Sequence, residues 1–237
     1  MPGRGSSDNR CVRCRMYRPL CLCAHIPVFE LKTKIRIVMH WREQKLTTNT
    51  AVLACLALPN SEIHVRGRQD NRLMTESLIG VEENAAILFP AESHAIELNE
   101  ISARNLPRPL TLIVPDGSWR QAKKVAIREK AFERLPRLTL PAGPPSLYRL
   151  RHSPHEENLS TFEAIARAIG ILEGKEIQEK LEGLFLMMVE RILWSRGNLK
   201  ASKCTTGIPE EAFALSRLAG MAGSCKGREG GDGSDGK

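Results

Sequence analysis

Two clusters of residues in this chain have types and spacings that can do chemistry. The first is Cys-x2-Cys-x6-Cys-x-Cys, formed by Cys11, Cys14, Cys21 and Cys23. Four thiolates gathered this closely can close a tetrahedron around Zn²⁺, and in a reducing compartment a metal site is favoured over disulfides. An iron–sulfur cluster and thiol redox chemistry remain as alternatives for the same four residues. A closed four-cysteine zinc site is structural, and Arg13, Arg15 and Arg18 around it would offset part of its negative charge. His25 is a further possible ligand, set against the plainer reading of an exposed histidine beside Pro27.

The second cluster is PDGSWRQAKK, Pro115 to Lys124, which follows the apolar run Leu110 to Val114. In an open parallel sheet, ligands bind beyond the carboxyl ends of the strands, and Asp116 stands at such an end. The helix that starts at Ser118 or Trp119 turns free backbone N–H groups toward the same crevice. Asp116 or Ser118 could instead be simple helix caps, and Trp119 a core residue. Arg120, Lys124 and Arg128 recur every four residues and so share one helix face, either a solvated surface or a phosphate track.

These clusters need a frame, and the pattern supplies an α/β one. Strands are expected at Lys34 to Met39, Glu62 to Val65, Ala85 to Phe89 and Leu110 to Val114, with a weaker one at Pro136 to Leu140. Helices are expected at Thr48 to Leu58, Trp119 to Leu135, Thr161 to Leu172 and Ile177 to Trp194. Ser160 and Glu163 have capping-box spacing. Alternating elements of this kind predict a mostly parallel sheet with helices on both faces. Pro141 to Asn158 is long and rich in proline and charge, which marks a candidate functional loop. The predicted organisation is a flexible N-terminus over 1–10, a four-cysteine module over 11–24, an α/β domain over 25–197 and a largely disordered tail over 198–237.

The chain has 237 residues, enough for one sizeable core. Mean hydropathy is -0.26 and no apolar run nears the roughly 20 residues of a membrane span. Residues 1–10 are polar and glycine-rich, unlike a signal peptide, so the cytoplasm is the expected setting and no membrane is expected as a partner. The net charge of +8 suits a polyanion. Its distribution is more telling: five arginines face Asp8 within residues 1–24, and seven cations face Glu129 and Glu133 within residues 120–137. Nothing in the pattern points to a protein partner.

Taken together, the motifs resemble the DTW-domain family, tRNA-uridine aminocarboxypropyltransferases named for an Asp-x-Thr-Trp signature. Asp116-Gly117-Ser118-Trp119 departs from that signature only in Ser118, which keeps the hydroxyl. The resemblance extends to the four cysteines, to MHWRE followed by TNT (His40, Glu43, Thr48, Asn49, Thr50), to Tyr148–Arg151 and to Leu159–Ala166, over roughly residues 11–195. It implies transfer of the 3-amino-3-carboxypropyl group of S-adenosylmethionine to N3 of a tRNA uridine, with release of methylthioadenosine. It also implies a SPOUT-like fold, a class that includes knotted backbones. Under this resemblance Asp116 is the candidate catalytic residue, as general base or as an electrostatic clamp on the positive co-substrate. Arg149, Arg151, Ser160 and Thr161 are candidates for holding the co-substrate, and Ser118, Trp119, Arg120, Lys124 and Arg128 for holding RNA. His40 and Glu43, at another strand end, either line the site or serve as cap and core. Two rival functions share these features: an S-adenosylmethionine-dependent RNA methyltransferase, and a non-catalytic zinc-stabilised RNA-binding protein. The Gly-rich loop of Rossmann methyltransferases is absent after the first strand, which weighs against the former.

Overall fold

In the computed structural model, residues 9–68, 73–80, 83–89, 95–150 and 158–214 are described. Six parallel strands form one sheet in the order β2-β1-β5-β3-β6-β4. They are β1 (Lys34–His40), β2 (Ser61–Arg66), β3 (Asn84–Leu88), β4 (Ile96–Glu97), β5 (Leu110–Asp116) and β6 (Arg137–Thr139). β5 is the last of the three long central strands in sequence yet inserts between β1 and β3, pairing Met39 with Asp116 on one side and Ala86 with Leu112 on the other. All seven of its residues are buried, which is why it reads as a continuous apolar run and not as an alternating one.

Alternation along the strands divides the interior into two cores, one on each face of the sheet. Ile35, Ile37 and Met39 of β1, with Leu110, Leu112 and Val114 of β5, pack against α1 (Ala51–Ala57), α2 (Glu100–Asn105), α4 (Thr161–Glu173) and α5 (Lys175–Ser195). On the opposite face Val38, Ile87, Phe89 and Ile113 meet α3 (Trp119–Arg128) through Ala122, Val125 and Ala126, with Phe132 completing the layer. The expected α/β class, with a parallel sheet covered on both faces, is observed.

Several boundaries differ from expectation, each for a visible reason. α1 starts at Ala51, not Thr48, because the Asn49 side chain accepts from the Ala51 N–H and the 48–50 backbone is committed elsewhere. α3 stops at Arg128, because Glu129 turns extended and its carboxylate is taken by Arg66 and by Thr75 at 3.2 Å. A 3-10 turn, Lys130–Phe132, then drops Phe132 fully into the second core. β4 and α2 were not foreseen, since two residues of strand and six of helix carry no readable period. α4 ends at Gly174, whose φ of 136° lets the chain reverse directly into α5.

Residues 198–214, the first part of the 198–237 segment expected to be a largely disordered tail, are tied back to α5. Glu190, 3% exposed, accepts four hydrogen bonds of 2.7–3.0 Å from the N–H and hydroxyl groups of Thr205 and Thr206. Phe213 sets its ring edge-on against Trp194 at 5.3 Å, and Ala212 is buried. Residues 215–237 lie outside the described residues.

Candidate active site and metal centre

Asp116 ends β5 at an even-numbered position, in phase with Leu110, Leu112 and Val114, so its carboxylate points to the α1/α4 face. It is 5% exposed, and both oxygens accept hydrogen bonds. Asn49 Nδ2 donates to Oδ2 at 2.9 Å and Thr161 Oγ1 donates to Oδ1 at 2.5 Å. Thr161 is there because Ser160 caps α4, with Glu163 completing the capping box, so the first helical residue faces the strand end. Glu163 is itself buried and collects the Ser160 N–H (2.9 Å), the Ser146 hydroxyl (2.7 Å) and the Leu147 N–H (2.7 Å). Two further bonds close the structure: Tyr148 donates its hydroxyl to Thr48 O at 2.6 Å, and the Phe162 N–H donates to Thr50 Oγ1 at 3.3 Å. Segments 48–50, 146–148 and 160–163 therefore converge on one carboxylate. A buried polar group costs free energy unless paired, so such a network holds its members in fixed orientation.

The other side of the same strand end is open. A cleft of about 460 Å³ is lined by His40, Trp41, Arg42, Arg66, Ser118, Arg120, Gln121 and Lys124, where β1, β2 and β5 end against α3. Ser118 caps α3 through a capping box with Gln121. At Gly117, φ 157°, a Cβ would fall 3.0 Å from the Gln121 side chain, which would have to give way. Arg66 is paired with Glu129, whereas among the described residues no carboxylate pairs with Arg42, Arg120 or Lys124. Arg42 lies over the Trp41 ring at 5.4 Å. His40 accepts the Arg42 N–H on Nδ1, and partial burial with the charges of Arg42 and Arg66 keeps its pKa below the ordinary histidine value.

The expected site residues divide between these two sides. Thr161 and Ser160 belong to the Asp116 side, Ser160 with its hydroxyl engaged in capping the Glu163 N–H at 3.3 Å. Arg149 is exposed at the end of the 146–148 segment, and Arg151 lies outside the described residues. Ser118, Arg120 and Lys124 line the open cleft. Trp119 is half-buried against Phe89, ring centroids 6.2 Å apart, as part of the second core. Arg128 is exposed at the far end of α3 and is not among the residues lining the cleft. His40 lines the cleft, while Glu43 is buried in the 3-10 turn beyond it. Sequence reasoning missed Trp41, Arg42, Arg66 and Gln121. The first two stood inside the MHWRE stretch already singled out, and Arg66 is the last residue of a strand adjoining β1.

The four cysteines form a second centre. Their Sγ atoms all lie within 4.8 Å of one another, with Cys11–Cys23 at 3.5 Å and Cys14–Cys21 at 3.7 Å. Tetrahedral Zn–S bonds of about 2.3 Å require S–S separations near 3.8 Å, so the donor set fits a zinc ion. A tight knuckle produces this arrangement: Arg15 takes φ 60° as its N–H returns to Cys11 O at 2.9 Å. Crowding shows in the thiols. The Cys14 N–H leads in lowering Cys11 to about 6, whereas burial, then the neighbouring thiols, push Cys23 up to about 12. Deprotonating all four therefore calls for a cation. The module is anchored to the domain by Met16, Leu20 and Leu22, each buried in the main core at roughly 2 kcal/mol apiece. Arg191 of α5 adds hydrogen bonds to Leu20 O (3.3 Å) and Cys21 O (2.6 Å). Arg15 donates to Gln44 O at 2.9 Å, which joins the knuckle to the turn carrying Trp41. His25 is exposed and outside the cluster.

The DTW domain model matches residues 8–193. The chain is 31% identical over 177 residues to tRNA-uridine aminocarboxypropyltransferase 2 of Macaca fascicularis, and 30% to that of Mus musculus, covering 72% of this chain and 59% of each relative. It is 29% identical over 208 residues to tRNA-uridine aminocarboxypropyltransferase A of Arabidopsis thaliana, covering 76% of this chain and 79% of the relative. The chain thus spans somewhat under two thirds of the length of the two mammalian relatives. No solved structure matches it.

Proposed function

The chain belongs to the DTW domain family, and from that membership we propose that it transfers the 3-amino-3-carboxypropyl group of S-adenosylmethionine to N3 of a uridine in tRNA. In that reaction the N3 lone pair forms a bond to the methylene carbon next to the sulfonium, and the carbon–sulfur bond breaks. Its electrons stay on sulfur in methylthioadenosine, and the N3 proton leaves to a base or to water. Little covalent help is needed from the protein, because the leaving group is already activated; orientation of the correct carbon is the main demand.

The observation that carries this reading is the fixation of Asp116 at the carboxyl end of the central strand by Asn49 and Thr161, beside a cation-lined cleft. Either role, base or clamp, needs the ionised carboxylate; because both oxygens of Asp116 are already engaged by Asn49 and Thr161, we assign it the electrostatic role of holding the positive sulfonium or α-ammonium of the co-substrate in line. Thr161, by its N–H at the start of α4, and Arg149, by its guanidinium, are the described residues proposed for the co-substrate carboxylate, the Thr161 hydroxyl being given to Asp116. The four cysteines hold zinc in a structural capacity. The SPOUT-like reading of the backbone belongs to the same proposal, supported by the parallel sheet, and a cytoplasmic setting is proposed with it. Among the described residues no helix is long and apolar enough to cross a membrane.

The test is incubation of the purified chain with unmodified tRNA and S-adenosylmethionine, followed by mass analysis of the nucleosides. A uridine heavier by the aminocarboxypropyl group, with methylthioadenosine in equal amount, is the expected result. S-adenosylhomocysteine as the product would instead indicate methyl transfer, and no altered uridine would overturn the proposal.

A further inference from the structure

The cleft on the α3 side has a composition that the Asp116 side lacks. Trp41 is 37% exposed there, a large aromatic held at a strand end, and Arg42, Arg120 and Lys124 surround the same space without carboxylate partners among the described residues. A solvated cationic surface needs no exposed tryptophan, and an apolar docking patch would not be ringed by cations. An aromatic face interleaved with unpaired cations is the composition that binds single-stranded nucleic acid, where bases stack and phosphates are neutralised. The cleft volume of about 460 Å³ suits one nucleotide, since small-ligand pockets start near 300 Å³.

The phase of the strands assigns the two substrates to different sides. Asp116 follows Val114 onto the α1/α4 face, whereas His40 follows Val38 onto the α3 face. The backbone at Gly117, within 3.5 Å of His40 Cβ were it to bear a Cβ, is the partition between them. We propose that the α3-side cleft seats one nucleotide of a single-stranded RNA segment, its base stacked on Trp41 and its phosphates held by Arg42, Arg120 and Lys124. Arg42 covers the indole in the free protein and gives up that position to the base when it moves to a phosphate. The identification of the ligand as RNA rests on the reaction proposed above, although the site itself is argued from its own residues. Trp41 thereby takes the stacking role for which the sequence suggested Trp119, which is packed against Phe89.

The experiment measures binding of pentauridylate to the full chain over a range of salt concentrations, for the unaltered protein, Trp41→Ala, Trp41→Phe and the double variant Arg120→Gln/Lys124→Gln. Thermal melting and S-adenosylmethionine affinity serve as controls of folding and of the other side. Trp41→Ala is expected to weaken binding about tenfold or more, with Trp41→Phe restoring most of it. The double variant is expected to reduce the slope of log affinity against log salt by about 1.4, for two phosphate contacts on a single strand. S-adenosylmethionine affinity should be unchanged in all of them. Unaltered pentauridylate affinity in a folded Trp41→Ala protein would overturn the proposal, and so would inorganic polyphosphate competing equally well with RNA in both proteins. If the tRNA assay fails while Trp41→Ala still loses RNA, the reaction is wrong and the cleft stands. If tRNA is modified at the same rate and affinity by Trp41→Ala, the cleft assignment is wrong and the reaction stands.

Discussion

The two sides of the end of β5 differ in how their polar groups are satisfied. On the α1/α4 side a buried carboxylate is bonded by an amide and a hydroxyl, and a second buried carboxylate, Glu163, ties together the segments that supply them. On the α3 side three cations and an exposed indole are left to solvent. The first arrangement has its hydrogen bonds made before any ligand arrives, which suits a site where a misplacement of one ångström can cost about a hundredfold in rate. The second leaves its charge unspent, which suits a partner that is long, flexible and anionic. On the proposed reading, one strand end separates a rigid reaction chamber from an adaptable grip.

The comparison breaks first at Asp116. Asp116→Asn keeps shape and one acceptor, so the fold should persist while turnover falls by about a thousandfold. S-adenosylmethionine affinity should fall as well, while pentauridylate affinity stays put. Loss of turnover with intact co-substrate affinity would move Asp116 from clamp to base. Removing the metal should act in the opposite sense. Arg15 links the cysteine knuckle to Gln44, and Gln44 Oε1 accepts from Arg68 at 2.8 Å, so chelation should disorder the Trp41 turn. An expected drop of about tenfold in RNA affinity, larger than any change in co-substrate affinity, is readable by titration before and after treatment with a chelator.

Thr161→Val sharpens the claim that the chamber is prepaid in hydrogen bonds. Leaving one oxygen of Asp116 short of a donor should cost about 2 kcal/mol of stability, seen in denaturant unfolding, and should slow transfer without touching RNA affinity. The smallest effect lies at the opposite end of the sheet, where Glu83 is a control. Burial alone would raise its pKa, but the Gly80 N–H, Thr111 hydroxyl and Arg36 guanidinium outweigh it and hold Glu83 at about 2. The folded-state value is depressed, so this stabilisation is complete above the ordinary pKa of about 4.5 and is lost as pH falls toward 2. Glu83→Gln should remove about 1–2 kcal/mol at neutral pH and flatten the stability profile between pH 5 and 2, leaving both sides of β5 alike in function.

Much of this architecture was legible in the sequence because it is local. The strands β1, β2, β3 and β5 announced themselves by apolar runs or by alternation, the knuckle by cysteine spacing, and the start of α4 by its capping box. Asp116 was placed at a strand end by the run before it. What was hidden depended on strand order. Asn49 and Thr161 meet Asp116 across 67 and 45 residues, and nothing local to them says that β5 inserts between β1 and β3. The same insertion sets Asp116 and His40 on opposite faces of the sheet. Trp119 was legible only as either a stacking residue or a helix anchor, because its neighbour Phe89 follows β3, on the far side of β5. Trp41 lay inside a noticed motif, yet its exposure is decided by tertiary packing alone.

The grip of Thr205 and Thr206 on Glu190 has a practical corollary. Glu190 sits within the 8–193 span that matches the family, but all four of the donors that hold its carboxylate below the ordinary range, against burial, lie beyond that span. Cutting the chain at the family boundary would strand a buried anion on α5, one residue from the Arg191 that anchors the cysteine knuckle. A fragment ending at Thr206 is therefore expected to refold better than one ending at the family border.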